Sequence, residues 1–394
     1  MTVRDPIRAE MLSFRPNAIA QVAVGNIGDP GIIPLWFGET DLVTPAFIRD
    51  AAKQALDDGL TFYVTPGGHQ RLRTAIQDWT ARWYGVTPAM ERIWVPGAAM
   101  LCIVTALQTC VNTGDEVVVL TPMWPNISQA VEATGGTPRY VRLDHDAAKG
   151  EWALDLNKIE AAIGPRTKAL FIGSPGNPTG WVISDDEIKA LIEISRRKGV
   201  AIIADEVYSV LFYEGKRAPS FIDHASEDDN VFIVNSFSKA WAMTGWRVGW
   251  LVAPRRLAPA MAQLSVSNNT GATVFAQFGA VAALEQGDPF IAEMVERCRR
   301  GRDMVADFVA GQNRLSWVKP KGAFYAYVAV DGLKDSIGFA KNLLATTKVG
   351  VAPGAAFASG EGDTRDESYL RLCFAQDPKR LGEALERIGK ALLA

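Results

Sequence analysis

An α/β fold with a mostly parallel, helix-covered central sheet and a second domain beside it is what this sequence predicts. Three observations carry the prediction. Val200-Ala-Ile-Ile-Ala204 is an uninterrupted apolar run ending at Asp205, the pattern of a strand buried on both faces of a parallel sheet. Strand-like Thr167-Lys-Ala-Leu-Phe-Ile172 lies ahead of it with a helical stretch between, which completes a strand–helix–strand unit. The length, 394 residues, exceeds that of one compact domain, so two domains share the chain.

The elements follow in order. Ile33-Pro-Leu-Trp-Phe-Gly-Glu-Thr-Asp-Leu-Val-Thr-Pro45 opens as an apolar run and ends in turn residues, and 46–59 then reads as a helix stopped by Gly59. Tyr63-Val-Thr-Pro-Gly-Gly68 is a turn carrying an aromatic. Ile93-Trp-Val-Pro-Gly-Ala-Ala-Met100 passes from strand-like residues through a small-residue turn into a helical pattern at Leu101, Val104 and Leu107. A helix starting after Gly97 aims the N–H groups of Ala98 and Ala99 at any anion placed there. Gly114-Asp-Glu-Val-Val-Val-Leu120 is another strand, and the turn Thr121-Pro-Met-Trp-Pro125 presents Trp124, either to a ligand at the strand end or to the core.

Gly173-Ser-Pro-Gly-Asn-Pro-Thr-Gly180 is a dense turn that ends the strand before it. Ser184-Asp-Asp-Glu187 is a capping box, opening a helix that runs to Lys198 and stops at Gly199. Val231-Phe-Ile-Val234 reads as a buried strand.

Composition excludes several functions. Hydrophobic residues make up 48% and charged ones 22%, with net charge −3, and no basic stripe suits nucleic acid or a membrane surface. Residues 1–14 carry Arg4, Asp5, Arg8 and Glu10 and no apolar core, so no secretory signal or anchor is expected and a cytoplasmic location is. Cys102, Cys110, Cys298 and Cys373 have no metal-ligand spacing and read as buried reduced thiols; with only three histidines, no metal site is expected.

The chemistry is concentrated in Asn235-Ser-Phe-Ser-Lys-Ala-Trp-Ala-Met-Thr-Gly-Trp-Arg-Val-Gly249, which follows a strand end. Two small hydroxyls and an arginine fork suit a phosphate, and they leave the lysine free for carbon chemistry. Ser-x-Ser-Lys followed by Gly-x-Arg-x-Gly resembles the cofactor-lysine motif of the pyridoxal-phosphate (PLP) aminotransferases of fold type I, class I/II. Asn-Pro-Thr-Gly at 177–180, Asp-x-x-Tyr at 205–208 and Tyr-x4-Gly-x3-Leu-Arg from Tyr63 to Arg73 are similar to that family's motifs and lie in its order.

The resemblance implies a large PLP-binding domain over 46–286 and a small α+β domain from 1–45 with 287–394. It implies that Lys239 forms a Schiff base with PLP, that Asp205 pairs with the ring nitrogen, and that Tyr208 and Asn177 reach the ring oxygen. Trp124 is expected to stack on the ring, and Ala98, Ala99, Ser236, Ser238 and Arg247 to hold the phosphate. Tyr63 is expected to reach the neighbouring subunit's phosphate, so that a homodimer shares its sites, and residues 265–270 to be a loop lent to the neighbouring subunit's site, with Thr270 touching the phosphate. Gly38 and Arg371 are expected at the substrate carboxylate, with Asn177 and Trp124 also facing substrate. Gly38 is open to a second reading as a turn glycine. Arg371 lies in Tyr369-Leu-Arg-Leu-Cys-Phe-Ala375, where its apolar neighbours demand a buried partner for the charge.

The implied function moves the amino group of an L-amino acid to a 2-oxo acid. A PLP-dependent carbon–sulfur β-lyase would use the same residues, and a non-catalytic sensing module is a more distant alternative. A nicotinamide dehydrogenase lacks its Gly-x-Gly-x-x-Gly here. No arginine lies between Leu257 and Glu296, where dicarboxylate-specific relatives often carry one. Trp36, Phe37, Tyr63 and Trp124 form an aromatic mouth or are packing, and His69 is a further candidate at that mouth; the substrate stays open.

Overall fold

The computed structural model describes residues 17–146, 150–360 and 362–393, together with Ile7, Met11, Leu12 and Phe14. The expectation for residues 1–14 therefore falls largely outside the described residues. In chain order the elements are α1 (Ala18–Ala23), β1 (Ile33–Pro34), α2 (Ala46–Asp57), α3 (Gln70–Tyr84), β2 (Ile93–Trp94), α4 (Ala99–Cys110), β3 (Glu116–Thr121), α5 (Asn126–Thr134) and β4 (Thr137–Arg142). A short hairpin, β5 (Asp144–Asp146) and β6 (Glu151–Ala153), precedes α6 (Leu156–Ala162), β7 (Thr167–Gly173), α7 (Asp185–Lys198), β8 (Ala201–Asp205), β9 (Val231–Ser236) and β10 (Gly249–Val252). Then come α8 (Ala258–Asn269), α9 (Val274–Gln286), α10 (Asp288–Ala310), β11 (Leu315–Trp317), β12 (Tyr325–Val330), α11 (Ser336–Thr347), β13 (Val349–Gly350), β14 (Ala352–Pro353), β15 (Tyr369–Cys373) and α12 (Pro378–Leu393).

A seven-stranded sheet has the order β2-β10-β9-β8-β7-β3-β4. Strands β9 through β4 run parallel, and β10 is antiparallel to both its neighbours. The apolar runs are continuous because each face is covered. Val117, Val119, Phe171, Ile203 and Val234 pack with Cys102, Ile103 and Ala106 of α4. Val118, Leu120, Leu170, Ile202 and Ile233 pack with Ile188, Leu191 and Ile192 of α7 on the other side. A second sheet, β11-β12-β15-β14, is wholly antiparallel.

Helix α7 starts where the sequence places it. The Ser184 hydroxyl accepts from Glu187 N while the Glu187 carboxylate accepts from Ser184 N, and Gly199 closes the helix at φ +67°. Residues 265–270 do not form a loop. They are the last turns of α8, with Thr270 its left-handed cap at φ +58°. The apolar residues of α8 make no continuous stripe, and only Met261 and Ser265 are buried, so no helical period marks it in the sequence.

Candidate active site

The carboxyl ends of the parallel strands open into one cavity of about 990 Å³, including its mouth. Its lining includes Gly38, Ala99, Trp124, Asn177, Asp205, Tyr208, Ser236, Ser238, Lys239, Arg247 and Arg371, so the fold gathers eleven of the residues singled out in the sequence. Parallel register explains the gathering: Gly173 pairs with Asp205, and Asp205 with Val234, so the turns after β7, β8 and β9 emerge side by side.

Lys239 lies three residues beyond β9, and its Nζ donates to the Gly38 carbonyl at 2.6 Å. Burial pushes its amine down to about 8, because the apolar surroundings penalise the charged form; the Arg371 charge lowers it further, while Cys373, Glu39 and Asp205 oppose this. Asp205 ends β8 and accepts from Val207 N at 3.3 Å. Burial pushes its carboxyl up to about 6, against the Val207 N–H and the Lys239 charge. A protonated ring nitrogen would supply the cation this carboxylate needs.

The anion cradle lies where β9 and β10 meet the first turn of α4. Ala98 is the N-cap of that helix and no side chain caps it, which leaves its first N–H groups for a ligand. Gly249 is required here: a Cβ on it would lie 2.8 Å from Ala99 N and 2.6 Å from the Asn235 carbonyl. The Ser236 hydroxyl bonds that of Ser238 at 2.9 Å and accepts from Ser238 N. Arg247, exposed and held at φ +57°, donates to the Thr244 carbonyl through Nη1.

Arg371 is 2% exposed. Its Nη1 donates to Asn177 Oδ1 at 3.0 Å and its Nη2 to the Trp36 carbonyl, while Nε is buried with no partner. Its guanidinium stands over the rings of Tyr325 and Phe357, 4.6 and 5.1 Å from their centroids. The ion pairs among the described residues include no carboxylate partner for it, so a bound anion would supply the buried partner that the sequence demands.

Other expectations divide. Tyr63 is 90% exposed and lies outside this cavity in its own chain, beside Thr270 in a separate surface hollow. His69 does not line the site: its Nδ1 caps α3 by accepting from Arg71 N, and its ring packs on Phe278. Trp36, Phe37 and Trp124 line the cavity while Tyr63 does not, and Trp36 is at the same time packed into the core. All four cysteines are free thiols, with Cys110 only half-buried. Tyr325 was missed: it is buried against Tyr208, with the two hydroxyl oxygens 2.5 Å apart. Gly38 is confined by it, because a Cβ there would lie 2.0 Å from Tyr325 Oη.

These residues fit PLP. An uncapped helix end with two serines and an arginine suits its phosphate, Asp205 its ring nitrogen, and the depressed amine of Lys239 its aldehyde.

Comparison with known proteins agrees. The family described as aminotransferase class I and II matches residues 31–388. A probable aspartate/prephenate aminotransferase of Aquifex aeolicus is 33% identical over 92% of this chain and 91% of its own length. An aromatic-amino-acid aminotransferase of Thermococcus litoralis is 32% identical over 98% of this chain and 97% of its own. Among solved structures, a mutant of the Thermus thermophilus aspartate aminotransferase superposes with a TM-score of 0.88 at 30% identity, covering 98% of this chain and all of that one. The chain therefore belongs to the class I and II aminotransferases, PLP-dependent enzymes of fold type I that act on amino and oxo acids.

Proposed function

We propose that Lys239, Asp205 and Tyr208 carry the amino transfer in this chain, on an L-amino acid with an apolar or aromatic side chain, and that the working unit is a cytoplasmic homodimer. The observation that carries the reading is one cavity holding both a lysine with its amine lowered to about 8 and a buried arginine with an unpartnered Nε. The described residues of 46–286 form the cofactor-holding unit, with those of 1–45 and 287–394 as the smaller one. Among the described residues no helix is long and apolar enough to cross a membrane.

Bound PLP supplies the electron sink for the substrate α-carbon. The chain supplies the rest. Arg371 binds the α-carboxylate, with Asn177 holding the guanidinium in place and Gly38 leaving room beside Tyr325 and Lys239. That grip sets the direction of the Cα–H bond and so selects proton removal over loss of carbon dioxide. Lys239 would take the proton from Cα and return it to the cofactor's aldehyde carbon, on the far side of the amino nitrogen, a task suited to an amine lowered to about 8. Asp205 holds the positive ring nitrogen, Trp124 the ring face, and Ser236, Ser238, Arg247 and the Ala98–Ala99 turn the phosphate.

The side-chain preference rests on the walls. Ile19, Phe37, Ile103, Met123 and Trp124 line the cavity, and its cations among the described residues are Lys239, Arg247 and Arg371, each already engaged. An acidic side chain finds no fourth. The relatives are named as aminotransferases, which disfavours the β-lyase and sensing alternatives. The test is steady-state transfer with a panel of donors and a 2-oxo acid. Aromatic and branched donors should exceed aspartate in kcat/KM by about tenfold or more. Aspartate as the best donor sinks the side-chain assignment, and multiple turnovers by Lys239→Ala sink that of the lysine.

A further inference from the structure

Tyr325 is a buried polar group at the site for which the mechanism above has no task. It opens β12, fully enclosed, and its ring meets that of Tyr208 edge to face, 5.6 Å between centroids and 81° between planes. The two hydroxyl oxygens are 2.5 Å apart, so one proton lies between them. Burial raises both phenols above their ordinary range, and both keep their protons at neutral pH. Two protons and one shared bond leave one proton pointing away from the pair, on Tyr208 or on Tyr325.

The surroundings decide which. Cations stand near both rings: the Arg371 guanidinium is the closer, 4.6 Å from the Tyr325 ring centroid, while Lys239 Nζ lies 5.7 Å from the Tyr208 ring centroid and flanks the same face of Gly38 as the Tyr325 hydroxyl. The Gly38 carbonyl beside it already accepts from Lys239. After burial, Arg371 is the foremost influence on Tyr325, while on Tyr208 the foremost is Tyr325 itself, ahead of Asp205 and Arg371. A proton directed outward from Tyr325 would meet the Arg371 charge, which stands closer to that ring than Lys239 does to the ring of Tyr208, while Tyr208 lines the cavity together with Asp205. Cys373 and Glu39 complete the titratable groups acting at this corner.

We propose that Tyr325 is a positioning residue whose hydroxyl donates to Tyr208, turning the Tyr208 proton into the cavity and strengthening it as a donor to the PLP ring oxygen. The proposal rests on the reading that Tyr208 faces that oxygen. Hydrogen bonds in series polarise one another, so the outer donor acts through the inner one. A donor on the ring oxygen shares the negative charge that otherwise retains the proton on the Lys239 nitrogen, and so lowers the pH at which that proton leaves.

The test is a pH titration of the visible absorbance of the PLP-loaded protein and three variants. Tyr325→Phe keeps the ring over Arg371 and should raise the midpoint by roughly half a pH unit. Tyr208→Phe should raise it further, and Tyr208→Phe with Tyr325→Phe should match Tyr208→Phe alone, because the outer hydroxyl acts only through the inner. An unchanged or lowered midpoint in Tyr325→Phe overturns the proposal, as do shifts that add in the double variant. Should Tyr325→Phe fail to fold, 3-fluorotyrosine at 325, a stronger donor, should lower the midpoint, and no change there overturns the proposal equally. An unmodified chain with no such absorbance overturns the PLP assignment itself, and the relay with it.

Discussion

A single amine decides how this site loads. Lys239 has its folded value lowered from 10.5 to about 8 by burial, so roughly a tenth of it is free amine at pH 7, against well under a thousandth for an ordinary lysine. The rate at which cofactor-free protein attaches PLP should rise with pH and level off through about 8, measured by stopped-flow absorbance between pH 6 and 10. A rate still climbing through pH 10 would show an unperturbed lysine. The sign for stability follows the same linkage: the unfolded chain binds this proton more tightly, so the burial cost is present below about pH 8 and fades as pH rises toward 10.5. Lys239 was legible because two serines, an arginine and two glycines surround it at fixed spacing. Tyr325 was not, because its task arises across strands: β12 pairs with β15, setting Tyr325 opposite Cys373 and Tyr327 opposite Arg371, and no local pattern announces a hydroxyl pairing with Tyr208 from 117 residues away.

At the level of elements, the two sheets are joined by a buried ionic clamp. Arg142, the last residue of β4, makes a two-pronged bond to Asp366 at 2.6 and 2.8 Å, and the Tyr327 hydroxyl of β12 donates to the same carboxylate at 2.6 Å. Asp366 is fully buried, so removing it strands a guanidinium and a phenol together. Asp366→Ala should cost about 3 kcal/mol or more, read as a fall in the urea midpoint, and a loss under about 1 kcal/mol would mean that water replaces the carboxylate. This clamp was invisible beforehand, since its members lie 224 residues apart. The parallel strands and the capping box of α7 were visible, because apolar continuity and side-chain caps are properties of neighbours in sequence. Helix α8 was misread for the complementary reason: lying mostly at the surface, it has no core face to impress a period on its sequence.

For the whole molecule the open question is which chain Tyr63 serves. It is 90% exposed, with Phe62 at 81% and Val266 at 43% nearby in the exposed apolar set, and large exposed apolar groups of this kind mark an interaction surface. Tyr63 and Thr270, both expected at a phosphate, share one hollow outside their own chain's cavity. A two-fold dimer seated on this hollow would hand it to the partner's site on both sides, since an isologous interface exchanges the same patch both ways. Complementation tests this directly. Tyr63→Ala and Lys239→Ala, each with little activity alone, are unfolded together, refolded and assayed. If Tyr63 serves the partner, every hybrid dimer has one site carrying both defects and one carrying neither. Random pairing makes about half the dimers hybrid, so activity should recover to roughly a quarter of that of the unmodified protein. If Tyr63 instead served its own chain, each hybrid site would keep one defect, and mixing would restore nothing.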